Sequence, residues 1–234
     1  MRKNPSRIAW TVLLVCFTAF CLLEVTIPLT LRWFLLHSEV NPPGMLRVAV
    51  GTILMLPDGA DEPIAVVDSR PVETGTLIQT DGSSQSTLGF AQSKAQGSPE
   101  IATVQVYPSA QVVLALSNRS RFALSNDPNH IALEVKSGRV RINTSEALPN
   151  GLTVDVITPH TTVKLLPGSY AVQVSNEQTQ ISTRLGEAFV DATGGQVRVA
   201  EGLSTSVAAG QPPTPPASAA DNLIENGTFE EPLG

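Results

Sequence analysis

Apolar and polar residues follow two different patterns, one near the N-terminus and another beyond residue 45. Residues 8 to 31 read IAWTVLLVCFTAFCLLEVTIPLTL, an almost uninterrupted apolar run. As a helix this run would span about 36 Å at about 1.5 Å per residue, which is enough to cross a bilayer. We therefore predict a transmembrane anchor over residues 8–36, with Trp10 and Trp33 near the two interfaces.

Basic residues before the anchor predict its orientation. Arg2, Lys3 and Arg7 precede the apolar run, so residues 1–7 are expected to be a cytoplasmic tail and everything after residue 37 to lie outside. This makes the chain a single-pass protein of the cytoplasmic membrane. A cleaved signal peptide is the alternative, but the run is long for one and no small-x-small cleavage site follows it.

The anchor contains a few polar or reactive residues, and we expect none of them to form a functional site. Glu24 lies toward the outer end, where its carboxylate can reach the headgroups or water, and Pro28 also interrupts the run. Cys16 and Cys21 are the only cysteines, so the outer segment has neither a disulfide nor a thiolate metal site. Neither cysteine follows a convincing lipidation sequence.

From Leu46 to about Ala209 the pattern changes to short alternating runs separated by Gly, Asn, Asp and Pro. Alternation with a period of two is typical of half-buried strands. Thirteen such runs predict an all-β domain over residues 46–209, built as a sandwich, a jelly roll or a solenoid. The runs are LRVAVGTILML, TLIQT, STLGF, ATVQVYP, QVVLALS, IALEVKSGRVRIN, LTVDVIT, TTVKLLP, SYAVQVS, QISTRL, EAFVDA, QVRVA and STSVAAG.

Glycine recurs in the second half of this domain. SGRVRIN, PGSYAVQV, LGEAFVDA and EGLSTSVA each place a glycine just before an alternating run. Glycine supplies the positive backbone angle that a tight turn requires. The last three of these segments begin 18 and 16 residues apart. Repeats of this length suggest stacked coils with β-helical character.

Several of these segments together resemble a FecR-type extracytoplasmic domain. The resemblance covers residues 46–211, and its most specific parts are ETGTLIQT to STLGF, the SGRV turn and ITPHTTVKLLPGSYAV. It implies an all-β fold of jelly-roll or β-solenoid type, preceded here by one transmembrane helix. The best known members of that family pass an iron-uptake signal to a cytoplasmic sigma factor.

The region before the anchor departs from that family's pattern. FecR-like regulators carry a helical cytoplasmic domain that holds the sigma factor, whereas only MRKNPSR precedes the anchor here. We therefore expect any control of a sigma factor to require a separate cytoplasmic protein.

Charge and composition narrow the function further. From Ser38 onward the chain has 11 lysine and arginine residues against 20 aspartate and glutamate residues, a net charge of −9. This argues against nucleic acid as a partner and against electrostatic docking on anionic lipid. Nucleotide-binding, metalloprotease and hydrolase motifs are missing from the sequence. We expect no enzyme activity, no catalytic residue, no cofactor and no metal.

The histidines, the acidic residues and the polar loops of the outer segment are better explained by structural roles than by catalysis or metal binding. His130 and His160 are expected to have surface or turn roles, with His130 in the polar turn SNDPNHI, and His37 follows the anchor. Asp58, Asp61 and Glu62 in LPDGADEP lack the spacing of a calcium loop and fit a solvated hairpin turn. The polar stretches QTDGSSQSTLGF and AQSKAQGSPE are read as surface loops, with contact roles as the alternative. The sequons lie at Asn118, Asn143 and Asn226, and we expect them bare in a bacterium.

The C-terminal part contains a linker and an ambiguous end. GQPPTPPASAAD, residues 210–221, predicts a semi-rigid linker. Residues 222–234, NLIENGTFEEPLG, resemble the first strand of galactose-binding-like carbohydrate-binding modules. We favour the start of a truncated second domain over a genuine short tail, and expect this segment to be disordered or loosely docked.

The expected function is a non-enzymatic binding or scaffolding module for an envelope protein or glycan, anchored in the membrane through residues 8–36. The alternative is a transmembrane signal-transduction component related to FecR regulators. A carbohydrate-active enzyme, with its catalytic part outside this sequence, is the third hypothesis.

Overall fold

The computed structural model describes residues 5–92, 98–122, 125, 127–145 and 151–219. The helix α1 (Pro5–His37) comes first. The strands that follow in the described part of the chain are β1 (Glu39–Val40), β2 (Gly44–Val50), β3 (Ile53–Leu56), β4 (Ile64–Val66), β5 (Ser69–Val72), β6 (Leu77–Gln79), β7 (Gln85–Ala91), β8 (Glu100–Val106), β9 (Gln111–Ser120), β10 (Asn129–Thr144), β11 (Leu152–Ile157), β12 (Thr162–Leu165), β13 (Ser169–Val174), β14 (Gln178–Leu185), β15 (Ala188–Ala192), β16 (Gly195–Val199), β17 (Leu203–Ala208) and β18 (Ala217–Ser218). The predicted all-β fold class with one preceding helix is confirmed.

Helix α1 is long and apolar enough to cross a membrane. Its apolar part, Ala9–His37, has 29 residues and a mean hydropathy of 2.3, and none of it is buried by protein. The helix continues through Pro28, although proline cannot donate a backbone hydrogen bond. Thr26 donates its hydroxyl proton to the carbonyl oxygen of Leu22 at 2.7 Å, so this polar group is satisfied within the helix.

The chain divides into two compact units. Among the described residues, the first contains α1, β1 and the segment 120–127, and the second contains residues 41–119 and those from 128 onward. The predicted β domain over residues 46–209 falls in the second unit, apart from residues 120–127.

The strands of the second unit form two sheets. Sheet I contains, in spatial order, β5, β2, β7, β8, β10, β13, β14, β17 and β18. Sheet II contains β4, β3, β6, β9, β10, β11, β12, β15 and β16. Every pair with a described register is antiparallel except β10–β11.

Strand β10 belongs to both sheets and joins them. Its first part, residues 129–137, pairs with β9 and β11 in sheet II. Its second part, residues 138–144, pairs with β8 and β13 in sheet I. The change of sheet occurs at Gly138, which has a φ of 87°. A Cβ atom there would collide with the backbone of Ala110, so the crossing requires glycine.

The recurring glycines lie where the chain passes between sheets. Gly168 separates β12 from β13, Gly186 separates β14 from β15, and Gly202 separates β16 from β17. The strands between these crossings form antiparallel hairpins, β13–β14 in sheet I and β15–β16 in sheet II. The repeat predicted from the sequence therefore corresponds to hairpins that alternate between the two sheets.

Both sheets contribute their inner faces to one hydrophobic core. Alternate residues of each strand are buried, as in β11, where Leu152, Val154 and Val156 point inward. Among the described residues, the largest fully buried side chain is Tyr170 of β13. Burial of this apolar surface is the main force that holds the sheets together.

Part of the predicted linker packs against sheet I. Ala217 and Ser218 of β18 pair with β17, and the backbone N–H of Thr214 donates to the carbonyl oxygen of Ser206 at 2.9 Å. Thr205 donates its hydroxyl proton to the carbonyl oxygen of Thr214 at 2.6 Å. Proline stiffness does not prevent this return, because β18 contains none of the prolines. The predicted tail or second-domain strand, residues 222–234, lies outside the described residues.

Candidate anion-binding cleft

The histidines make local contacts. His130 lies at the start of β10, not in a turn, and its Nε2 is 2.7 Å from Oδ2 of Asp155. The Nδ1 atom of His160 lies 3.0 Å from the hydroxyl of Thr179. His37 stacks on Trp33 with ring centroids 5.4 Å apart. Among the described residues, no group of three or more His, Cys, Asp or Glu side chains is placed to hold a metal ion.

The acidic and polar loops named from the sequence are at the surface. Asp58, Asp61 and Glu62 are exposed between β3 and β4. Most of the AQSKAQGSPE stretch, residues 93–97, lies outside the described residues. Two sequons fall in strands, Asn118 in β9 and Asn143 in β10, while Asn226 is not described.

The QTDGSS loop is ordered by Asp81. Its Oδ1 atom accepts hydrogen bonds from the backbone N–H groups of Ser83, at 2.8 Å, and Ser84, at 2.6 Å. These donors, the Ser83 N–H above all, hold the pKa of Asp81 at about 2, below its usual value of 3.8. The Ser84 hydroxyl in turn donates to the carbonyl oxygen of Thr52 at 3.1 Å. The loop is therefore a structural turn that fastens β7 to the start of β3.

A cleft of about 410 Å³ opens on the outer face of sheet I. Its floor is formed by β10, β13 and β14, and the turn after β16 and the end of β18 border it. The lining residues are polar or small: Arg139, Arg141, Ser169, Tyr170, Ala171, Ser182, Thr183, Arg184, Gly202, Ser218 and Ala219. No aspartate or glutamate is among them.

Strand alternation places the three arginines in this cleft. Val140 and Ile142 of β10 are buried, so Arg139 and Arg141 point to the opposite, outer face. Arg184 follows the buried Thr183 on β14 and is exposed. Strand β13 lies between β10 and β14, and the register aligns Arg141 with Ser182. Arg184 therefore lies two strand spacings across and two residues along, about 12 Å from Arg141.

Among the described residues, no carboxylate neutralises the positive charge of the cleft. Within the described part of the chain, Arg141 and Arg184 have neither an ion pair nor a hydrogen bond. Arg139 lies over the ring of Tyr107 at 5.2 Å. By contrast, Arg47 pairs with Glu100 at 2.5 Å, and Arg198 donates from Nε to Glu187 at 2.9 Å. The cleft thus combines unpaired guanidinium groups with hydroxyl side chains, an arrangement suited to anions.

Sequence reasoning did not identify this cleft. The alternation of arginine with apolar residues in SGRVRIN shows that two arginines share a strand face. Arg184 is more than forty positions away, and only the β10–β13–β14 order brings it to the same face.

A second arrangement lies in the first unit, at the C-terminal end of α1. The ring of Phe34 is 5.9 Å from that of Phe122, with an interplanar angle of 58°. The backbone N–H of Arg121 donates to the carbonyl oxygen of Ser38 at 2.8 Å. Residues 121 and 122 follow β9 in the chain and belong, like α1, to the first unit, so both contacts lie within that unit.

Comparison with known proteins gives a limited result. No family model and no curated protein sequence matches the chain. Two crystal structures of a protein classed as an anti-sigma factor, from Parabacteroides distasonis, share 16% sequence identity with it, with TM-scores of 0.44 and 0.45. Each match covers 61% of this chain and 59% of the other. None of these three comparisons supports the predicted resemblance of residues 222–234 to a carbohydrate-binding module.

Proposed function

We propose that this protein is a non-enzymatic, single-pass component of a transmembrane signal-transduction system. In this proposal α1 anchors the chain in the cytoplasmic membrane, and the two-sheet domain lies outside and binds an envelope partner. The observation that carries the proposal is the contact of Phe34 with Phe122, together with the Arg121 to Ser38 hydrogen bond.

The physical basis of the relay is the position of Phe122 in the chain. The segment it belongs to leads directly into β10, and β10 is shared by both sheets. A change in strand packing on partner binding would therefore alter the β9–β10 connection. Because interfaces of packed side chains tend to switch between discrete arrangements, such a change can be passed to the end of α1.

The apolar surface of α1 supports the membrane part of the proposal. Trp10, Leu14 and Phe17 are 70%, 65% and 67% exposed. Side chains of this kind along a whole helix are stable in lipid and would aggregate in water. The basic residues before the helix favour an N-terminus on the cytoplasmic side.

Tryptophan fluorescence of the full chain in lipid nanodiscs tests the relay. Trp10 and Trp33 are the only tryptophans, so in a Trp10→Phe background the emission reports on Trp33 alone. Phe122→Ala should shift this emission, because the last turn of α1 loses its packing partner. Phe189→Ala, a matched change at a half-buried phenylalanine of β15, should leave it unchanged. Identical Trp33 spectra for the Phe122→Ala and Phe189→Ala proteins would contradict the proposal.

A binding or scaffolding module without signalling is the second candidate, and the arginine cleft favours it. A cleft on a rigid sheet can hold a partner without any change at α1. The two functions differ in one respect: only the signalling protein alters Trp33 when the outer domain is occupied.

A further inference from the structure

We propose that the cleft lined by Arg139, Arg141 and Arg184 binds an extended acidic segment of a partner protein. This inference rests on the proposed function, because it gives the chemistry of the partner that the outer domain recognises. It deepens that function by assigning the surface and the residues that make the contact.

Charge complementarity is the first argument. The chain from Ser38 onward has a net charge of −9, yet the described lining residues of the cleft include three arginines and no acidic residue. The net negative charge of the domain would repel an acidic partner, whereas the cleft would attract it. Such an arrangement gives specificity and a defined position to the complex.

The spacing of the arginines is the second argument. Arg139 and Arg141 are alternate residues of one strand, which places their Cα atoms about 6.6 Å apart on the same face. An extended peptide has the same period, so carboxylates at alternate positions can face successive guanidinium groups. Arg184 lies about 12 Å from Arg141, across two strands and two residues along, and can engage a further carboxylate.

The remaining lining residues favour a peptide over a sugar or a nucleic acid. Sugar rings stack on exposed aromatic faces, and the aromatic lining residue of this cleft, Tyr170, is fully buried. Nucleic acid requires a larger number of phosphate contacts than three arginines provide. The hydroxyl groups of the lining serines, such as Ser182 and Ser218, can instead form hydrogen bonds with the backbone of a peptide.

Fluorescence anisotropy with the full chain in nanodiscs tests the inference. The probe is a labelled peptide in which glutamate and threonine alternate, and the control peptide has glutamine in place of glutamate. We expect the acidic peptide to bind, the control peptide not to bind, and rising salt to weaken binding. Arg141→Gln and Arg184→Gln should each weaken binding about fivefold. Arg198→Gln, a change at an exposed arginine outside the cleft, should have no effect.

Competition experiments show whether something other than an acidic peptide occupies the cleft. Displacement of the peptide by inorganic phosphate or by polygalacturonate, at a matched concentration of charge, would overturn the inference in favour of a simple anion or an acidic glycan. Tighter peptide binding after neutralisation of Asp221, Glu225, Glu230 and Glu231 would overturn it in favour of this chain's own acidic segment. Equal weakening by Arg198→Gln and Arg184→Gln would also overturn it.

Simultaneous measurement of Trp33 emission separates the two proposals. Peptide binding with unchanged Trp33 emission supports the cleft assignment and contradicts the signalling relay. An unchanged anisotropy overturns the cleft assignment, whereas the effect of Phe122→Ala on Trp33 tests the relay without any ligand.

Discussion

The phenolic hydroxyl of Tyr170 lies 2.9 Å from the carbonyl oxygen of Glu187, at the point where the chain passes from sheet I to sheet II. The same hydroxyl is 2.9 Å from the carbonyl oxygen of Leu166. The ring is fully buried, so one side chain fills the core and also satisfies the backbone of two neighbouring crossings. This arrangement fixes β13 and β14 beneath the cleft.

Removal of that hydroxyl should destabilise the domain. Tyr170→Phe keeps the ring but removes the hydroxyl bond shared by the carbonyl oxygens of Leu166 and Glu187, which costs about 0.5 to 1.5 kcal/mol. Urea unfolding of the full chain in detergent micelles measures the loss. Tyr107→Phe is the matched control, because the Tyr107 hydroxyl has no hydrogen bond among the described residues. An equal stability of the Tyr170→Phe and Tyr107→Phe proteins would show that the hydroxyl does not support the crossings.

The crossing within β10 should depend on glycine. Gly138→Ala places a Cβ against the backbone of Ala110 at a φ of 87°, and it should lower the free energy of unfolding by more than about 1 kcal/mol. Gly59→Ala also acts at a positive φ, of 71°, but its Cβ would meet no atom within 4 Å. Urea unfolding compares the free energy of unfolding of the two variants, and the difference reports on the close approach of Gly138 to Ala110. An equal loss of stability in both variants would mean that β10 can pass between the sheets without that close approach.

Asp81 should make stability depend on pH in the acidic range. Its pKa falls from 3.8 to about 2 on folding, so its contribution is fully present above the unfolded value and is lost as the pH falls through about 2. Asp81→Ala should therefore lower the melting temperature at neutral pH, and the gap to the unchanged protein should narrow between pH 3.8 and about 2. Circular dichroism melts check this. Asp61→Ala, a change at an exposed aspartate, is the control and should show no such pH dependence. A difference in melting temperature between Asp81→Ala and the unchanged protein that stays constant with pH would contradict the lowered pKa of Asp81.

The orientation of α1 is tested by cysteine labelling. In a background with Cys16→Ser and Cys21→Ser, a membrane-impermeant maleimide should label Ser83→Cys in intact spheroplasts. The same reagent should label Ser6→Cys only after permeabilisation, because the basic residues keep the N-terminus inside. The reverse labelling pattern would place the β domain on the cytoplasmic side.

The fold class was predictable because strand alternation and the apolar run are local signals. The glycines before alternating runs were also predictable, and they mark the sheet crossings. The run LRVAVGTILML predicts one strand, whereas the structure divides it into β2 and β3 at Gly51 and Thr52. The division depends on Ser84, whose hydroxyl accepts a hydrogen bond from the Thr52 N–H at 3.1 Å. That residue is distant in sequence, so no local pattern reveals the contact.

The candidate site was less predictable than the fold. Arg139 and Arg141 share a face by simple alternation, but Arg184 joins them only through the strand order of sheet I. The contact of Phe34 with Phe122 likewise connects two segments far apart in the sequence. Both arrangements are tertiary, so residue types and spacing alone do not indicate them.

The proposed relay, in which the contact of Phe34 with Phe122 couples α1 to the β domain, is tested most directly by hydrogen exchange on the full chain in nanodiscs after Phe34→Ala. Phe20→Ala, a matched change within the helix, is the control. The account predicts that Phe34→Ala, and not Phe20→Ala, increases amide exchange in β9 and at the start of β10. Faster exchange confined to α1 would contradict the claim.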